Sequence, residues 1–157
     1  ENYKNNLKLW VSNSFISNHN SLLRNKQFIF GKIINYINKK NINTKKKLLV
    51  GNIDIKRDWG WAPEFVKFIY LIMQTKTAKN YVIGTGKKRS LRLIIDKFFK
   101  RYNYDYKKYI KKDKSLIRLG ESKETYANPK LLKRTFNKIP SVSIDKIVDN
   151  LVKNNFD

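Results

Sequence analysis

The stretch Gly51-Asn-Ile-Asp-Ile-Lys-Arg-Asp-Trp-Gly-Trp-Ala62 packs a turn, an Arg–Asp pair, two tryptophans and the start of a helix into a short span. The helix signal is Ala62-Pro63-Glu64. Proline suits the first helical position, where its missing N–H would have had no partner. Arg57 therefore reads as a loop residue just before a helix N-terminus. An arginine there is well placed for a phosphate, because the helix end offers free N–H groups and the guanidinium a bidentate fork.

Outward from this stretch, strands and helices alternate. Leu7–Ser17 (LKLWVSNSFIS) reads as a strand, apolar through its middle like a buried parallel strand, and needs neighbours on both sides. Asn18–Lys26 is polar and loop-like. Phe28, Ile29, Ile33, Ile34 and Ile37 recur with helical spacing and predict a helix over Gln27–Lys39. Leu48-Leu49-Val50 is a short strand after a basic linker. Ala62–Thr75 is a helix with Phe65, Ile69 and Met73 in one row and Val66 and Tyr70 beside it. Tyr81–Ile83 is a strand ending in Gly84-Thr85-Gly86. Ser90 caps the next helix, whose face is Leu91, Ile94, Ile95, Phe98, Phe99 and Tyr102. Tyr106–Ile110 reads as another strand. Asn128-Pro129 opens a short helix through Phe136, and Ser143 caps a last helix with Ile144, Ile147, Val148, Leu151 and Val152 on one face. The alternation predicts an α/β fold in one domain over residues 1–157, with too few strong strands for a complete doubly wound sheet.

Composition bounds the function. An apolar fraction of 41% in 157 residues suits a globular chain with one core. Without cysteine there is neither a disulfide nor a thiolate metal site, and a single histidine excludes a histidine-rich one. No apolar run approaches a membrane span, and no signal peptide is visible, so a cytoplasmic location is the default. The chain begins with Glu1 and its only methionine is Met73, which predicts a processed product or a piece of something longer. The net charge of +23 invites a nucleic-acid reading. Lysine, asparagine and isoleucine all have A/T-rich codons, however, and the basic residues scatter over every segment. The runs Lys45-Lys46-Lys47 and Lys107-Lys108 with Lys111-Lys112 read as solvated surface, and no nucleic-acid or membrane partner is expected.

No reaction centre is visible. Gly84-Thr85-Gly86 after a strand has the start of a dinucleotide-binding fingerprint, but Arg89 stands where its third glycine belongs. No Ser/His/Asp triad and no placed Tyr-x-x-x-Lys can be found. The arginines carry more information than the lysines. In a chain so rich in lysine, an arginine at a loop position points to a need for the planar fork. Arg24, Arg57 and Arg118 all fall in expected loops or element ends, and Glu121 follows Arg118 at a spacing that lets cation and acceptor hold a phosphate and a ribose together. Surface exposure or local ion pairing is the alternative for each.

Gly51–Ala62 resembles the GNLD-x-x-RDWG-x-A segment of the GDP-mannose 4,6-dehydratases, in the extended short-chain dehydrogenase/reductase group. Tyr81-Val-Ile-Gly-Thr-Gly86 with Ser90-Leu91 resembles that family's YVIATG…S[VL]. Asn18-His19-x-Ser21 resembles its NHES loop, Ile117-Arg118-x-x-Glu121 its FRP-x-E, and Asn128-Pro129 its G-[DN]-P. The pieces are collinear and span nearly the whole chain.

The resemblance implies the C-terminal, substrate-binding lobe and last sheet strands of such an enzyme, an incomplete Rossmann-type fold. The NADP-binding part and the catalytic Thr/Ser, Glu, Tyr and Lys would precede Glu1, with Glu1-Asn-Tyr3 the tail of the Tyr-x-x-x-Lys helix. No catalytic residue is then expected in this chain. By the same resemblance His19 and Arg24 contact NADP. Asn18, Ile29 and Lys32 contact GDP-mannose, Arg57 and Arg118 clamp its diphosphate, and Glu121 accepts from the ribose. The parent reaction would convert GDP-mannose to GDP-4-keto-6-deoxymannose in a homo-oligomer. The sequence departs from the pattern at Asn20 (glutamate in the family), Leu22–Asn25 (Pro-Arg-Arg-Gly), Gly31 (arginine) and Leu119 (proline). A non-catalytic nucleotide-sugar-binding remnant is the alternative, and a basic nucleic-acid binder a third. Apolar residues of the Leu7–Ser17 strand are expected to face water.

Overall fold

The structure, a computed structural model, describes residues 6–38 and 41–154. Glu1-Asn-Tyr3 and Lys39, the expected end of the first helix, lie outside the described residues. In chain order the elements are β1 (Ser14–Ile16), β2 (Asn18–Asn20), α1 (Ile29–Asn38), β3 (Leu48–Val50), β4 (Lys56–Trp61), α2 (Ala62–Met73), β5 (Tyr81–Ile83), β6 (Lys88–Ser90), α3 (Leu91–Lys100), β7 (Ile110–Lys112), β8 (Glu124–Thr125), α4 (Lys130–Phe136) and α5 (Ile144–Lys153). The fold is α/β, as expected.

β4 is the hub of the pairing. It runs parallel to β2 (Asn18↔Trp59 to Asn20↔Trp61) and to β8 (Arg57↔Thr125), and antiparallel to β6 (Arg57↔Arg89). β1 pairs in parallel with β5 and β3 with β7. Among the described strands β1 has a neighbour on one edge alone. The expected strand over Leu7–Ser17 is thus mostly irregular, and its apolar side chains Leu7, Leu9, Trp10, Phe15 and Ile16 are exposed.

Two cores flank β4. The larger gathers Phe30, Ile33, Ile34 and Ile37 of α1, Ile94, Ile95, Phe98 and Phe99 of α3, and Ile147, Val148 and Leu151 of α5, around Trp59. These are the apolar faces expected of α3 and α5. Both helices start as expected, with Ser90 Oγ accepting from Leu93 N–H and Ser143 Oγ from Lys146 N–H, each at 3.2 Å. In α1 the expected face shifts: Phe28 is exposed beneath the Arg24 guanidinium, and Phe30 fills the core. The smaller core sets Phe65, Phe68 and Ile72 of α2 against Tyr81, Ile83 and Leu132. The row Phe65–Ile69–Met73 is therefore not the buried one. Stepping every four residues drifts around a helix of 3.6 residues per turn, and the core follows the three-then-four spacing. Val66, Tyr70 and Met73 are exposed.

The strand expected at Tyr106–Ile110 is a single 3₁₀ turn at Tyr106–Lys108 followed by β7. Asp105 explains the turn, since its side chain accepts from Lys107 N–H at 3.0 Å. No described helix is long and apolar enough to cross a membrane.

Candidate functional site

Strand alternation sends Arg57 and Asp58 to opposite faces of β4. Asp58 is 1% exposed. Four donors converge on its carboxylate: Thr85 Oγ1 at 2.6 Å, Thr85 N at 3.1 Å, Gly86 N at 2.8 Å and Ala127 N at 3.4 Å. The Gly84-Thr85-Gly86 turn, the one hint of a phosphate loop in the sequence, thus spends its amides on Asp58. A Cβ on Gly84 would lie 2.3 Å from Ala127 Cβ and 2.8 Å from Asp58 Oδ2, so only glycine lets the turn approach this closely. Asp58 and Thr85 are the residues that sequence reasoning missed. No sequence signal marked them, since the pairing that makes the Asp58 segment a strand is imposed by β2, β6 and β8.

Arg57 is on a strand rather than a loop. Its side chain is 12% exposed, with Nη2 3.6 Å from Glu121 Oε1. Nη1 donates to the carbonyls of Lys56 at 2.8 Å and Lys123 at 3.4 Å. The expected partnership of Arg57 with a helix N-terminus does not form. At about 3.3 Å per strand residue it stands well over 10 Å before Ala62. Nearer the first turn of α2, Glu64 accepts from Ser141 N–H and Val142 N–H instead.

Glu121 is brought to Arg57 by a β-turn. Its N–H donates to Arg118 O at 3.2 Å, and Gly120 has φ +70, as the third residue of a type II turn requires. Arg118 is therefore held at the other end of the turn that presents Glu121. It is exposed, with no carboxylate in ion-pair reach among the described residues. Glu124 pins the rim of this region. Its contacts with Lys56 and Lys88 hold its carboxyl down to about 2.

The Asn18–Arg24 segment carries under-satisfied polar groups. Ser17 Oγ, Asn20 Nδ2 and Arg24 Nε are buried without a hydrogen-bond partner among the described residues. A native fold rarely leaves such groups unpaired unless a ligand, water or ion completes them. The Arg24 guanidinium lies 3.8 Å over the Phe28 ring and lines a cavity of 340 Å³ with Ser21, Lys26, Gly31, Asn35 and Asn38. His19 turns elsewhere, its Nδ1 2.9 Å from Ser17 O and its ring 5.4 Å from that of Phe65. Asn18 lines a separate open cleft of 340 Å³ at the C-terminal end of β1, with Ser17, Thr125 and Tyr126. Ligands of α/β sheets collect at such strand ends. On α1, Ile29 packs partly against the larger core and Lys32 is exposed. Arg57 and Glu121 thus meet, while Arg118 is tied to them through the backbone of its turn; Asn18 and Arg24 line different hollows.

The profile of the family described as GDP-mannose 4,6 dehydratase matches residues 1–151. GDP-mannose 4,6 dehydratase 1 of Arabidopsis thaliana is 26% identical over 151 residues, covering 96% of this chain and 42% of that protein. The chain thus spans less than half the length of the curated relatives it matches. Among solved structures, dTDP-glucose 4,6-dehydratase from Bacillus anthracis in complex with NAD superposes with a TM-score of 0.81 at 16% identity, covering 96% of this chain and 46% of that one. RMD from Pseudomonas aeruginosa complexed with NADPH gives 0.81 at 16% identity, covering 96% and 49%. The fold is that of the extended short-chain dehydrogenases.

Proposed function

The chain belongs to the GDP-mannose 4,6-dehydratase family, and on that premise we propose that it holds the GDP part of GDP-mannose for conversion to GDP-4-keto-6-deoxymannose. The observation that carries this reading is the junction of Arg57 with the Arg118–Glu121 turn. Arg57 shares Glu121 there, and Arg118, at the other end of the turn, adds a cation without a carboxylate in ion-pair reach among the described residues, leaving net positive charge for a diphosphate. Arg57 and Arg118 clamp it, and Glu121 accepts from the ribose hydroxyls. Asn18, Ile29 and Lys32 complete the substrate contacts along the β1 end and α1. Hydrogen bonds to charged groups contribute roughly 1.5–3 kcal/mol each. Two arginines thus supply a large part of the about 8 kcal/mol of a micromolar complex.

NADP fits the segment after β1. The orphaned Nε of Arg24 and Nδ2 of Asn20 are the kind of buried donors a phosphate or amide oxygen would satisfy. Arg24 would hold the 2′-phosphate and His19 would contact the cofactor from β2. When bound, NADP supplies hydride storage between C4 and C6 of the sugar. No residue of this chain is assigned a catalytic role; its part is to bind and orient.

Calorimetry of the chain with GDP and with guanosine tests the reading. GDP is expected to bind at least about tenfold more tightly than guanosine, because the diphosphate carries the contacts. With GDP-mannose and NADP no turnover is expected. Equal affinity for GDP and guanosine, or no GDP binding, would refute the assignment.

A further inference from the structure

Resting on that reading, we propose that Arg89 is a further positioning residue of the diphosphate site, acting across the sheet from Arg57. The β4–β6 register places Arg57 directly opposite Arg89 in an antiparallel pair. Residues so placed project from the same face, and like charges there repel. Elsewhere on β4 and β6 the cations are paired: Lys56 and Lys88 share Glu124. Arg57 and Arg89 have one carboxylate between them, Glu121, at 3.6 Å from Arg57. Arg89 has none in reach among the described residues.

Each of the two guanidinium groups is held by the carbonyl of its preceding residue. Arg57 Nη1 donates to Lys56 O at 2.8 Å, and Arg89 Nη1 to Lys88 O at 3.0 Å. A guanidinium carries five N–H donors, so both keep donors to spare. The backbone of Arg89 is fixed as well, because Trp59 Nε1 donates to its carbonyl at 3.1 Å. Trp59 follows Arg57 by two residues and so shares its face of β4. Arg89 and Trp59 both line a cavity of 490 Å³, with Lys87, Lys97 and Asp145 among its other walls; Lys97 is paired with Asp145 at 2.6 Å, which leaves Arg89 and Lys87 as its unpaired cations among the described residues. Two half-buried arginines on one sheet face, Arg57 with Glu121 at 3.6 Å and Arg89 beside a cavity and without a carboxylate partner among the described residues, form a receptor for a dianion. The diphosphate of a nucleoside diphosphate supplies that charge. Arg89 would thereby fix the orientation of the nucleotide relative to β4.

Titrating wild type, Arg57→Ala, Arg89→Gln and Arg89→Lys with inorganic pyrophosphate, GDP and guanosine, alongside thermal melts without ligand, tests the role. Arg89→Gln is expected to weaken pyrophosphate and GDP about tenfold or more and to leave guanosine unchanged. Its unliganded melting temperature is expected to equal or exceed that of wild type, since a like charge directly across the strands from Arg57 is removed. A residue with only a structural role would lower it. Arg89→Lys keeps the charge and loses the fork, so an intermediate loss is expected, and this variant decides the matter if Arg89→Gln does not fold. Undiminished pyrophosphate affinity in both Arg89 variants, with loss in Arg57→Ala, overturns the role of Arg89 alone. A loss shared equally by guanosine overturns it too. Failure of wild type to bind GDP overturns the sugar-nucleotide reading together with this inference.

Discussion

The two faces of β4 are built to different ends. Behind the strand, Asp58 is 1% exposed and accepts from four donors. In front of it, Arg57 is 12% exposed, faces a second arginine and has one carboxylate at 3.6 Å. Consecutive residues thus divide the work, one saturated by the protein and the other left short of negative charge. Saturation marks a group that the fold needs; shortage marks a group that a ligand completes.

Breaking the saturated face should have the largest effect. Asp58→Ala strands the amides of Thr85 and Ala127 and the Thr85 hydroxyl in a buried site, where each unsatisfied group costs about 1–3 kcal/mol. A loss of more than about 3 kcal/mol in urea unfolding is expected; a loss under about 1 kcal/mol would show that the hub carries no such weight. Arg57→Ala should invert this pattern. GDP affinity should fall by about 2 kcal/mol while stability changes by less than about 1 kcal/mol. If both quantities fall together, the contrast between the faces fails.

Smaller effects sharpen the comparison. Ser90→Ala removes the cap that starts α3 directly after Arg89, and should cost about 1 kcal/mol of stability. Its GDP affinity should stay close to wild type, a matter for the same calorimetry. The smallest effect belongs to Glu124, an exposed carboxyl held at about 2 against an ordinary 4.5. A depressed folded-state value stabilises above the unfolded one and is lost as pH falls through the folded one. Wild type should therefore lose its small thermal advantage over Glu124→Gln between about pH 4.5 and 2. An advantage that persists at pH 2 would place its origin elsewhere.

Legibility followed the range of the forces involved. α3 and α5 are readable because their caps and apolar faces are local, and Ser90 and Ser143 act as their positions imply. β5 is readable from three apolar residues bounded by Gly84. β4 is not, because Lys56–Trp61 (KRDWGW) shows no apolar alternation; its extended form is imposed by β2, β6 and β8. Misreading it as a loop misplaced Arg57 at a helix end and hid Asp58. The resemblance implied that Arg57 and Glu121 serve one nucleotide, but their ion pair was not foreseen, since no sequence spacing links residues so far apart. Arg89 entered the sequence reading only as a missing glycine, because its place opposite Arg57 is a matter of strand register.

The central claim is that Arg57 and Arg118 grip one diphosphate. A double-mutant cycle on GDP affinity, using Arg57→Ala, Arg118→Ala and the double variant, measures this most directly. The account predicts that each single change costs about tenfold or more and that the two losses are coupled, departing from additivity by at least about 0.5 kcal/mol. Strict additivity, or an Arg118 variant that binds GDP like wild type, would contradict it.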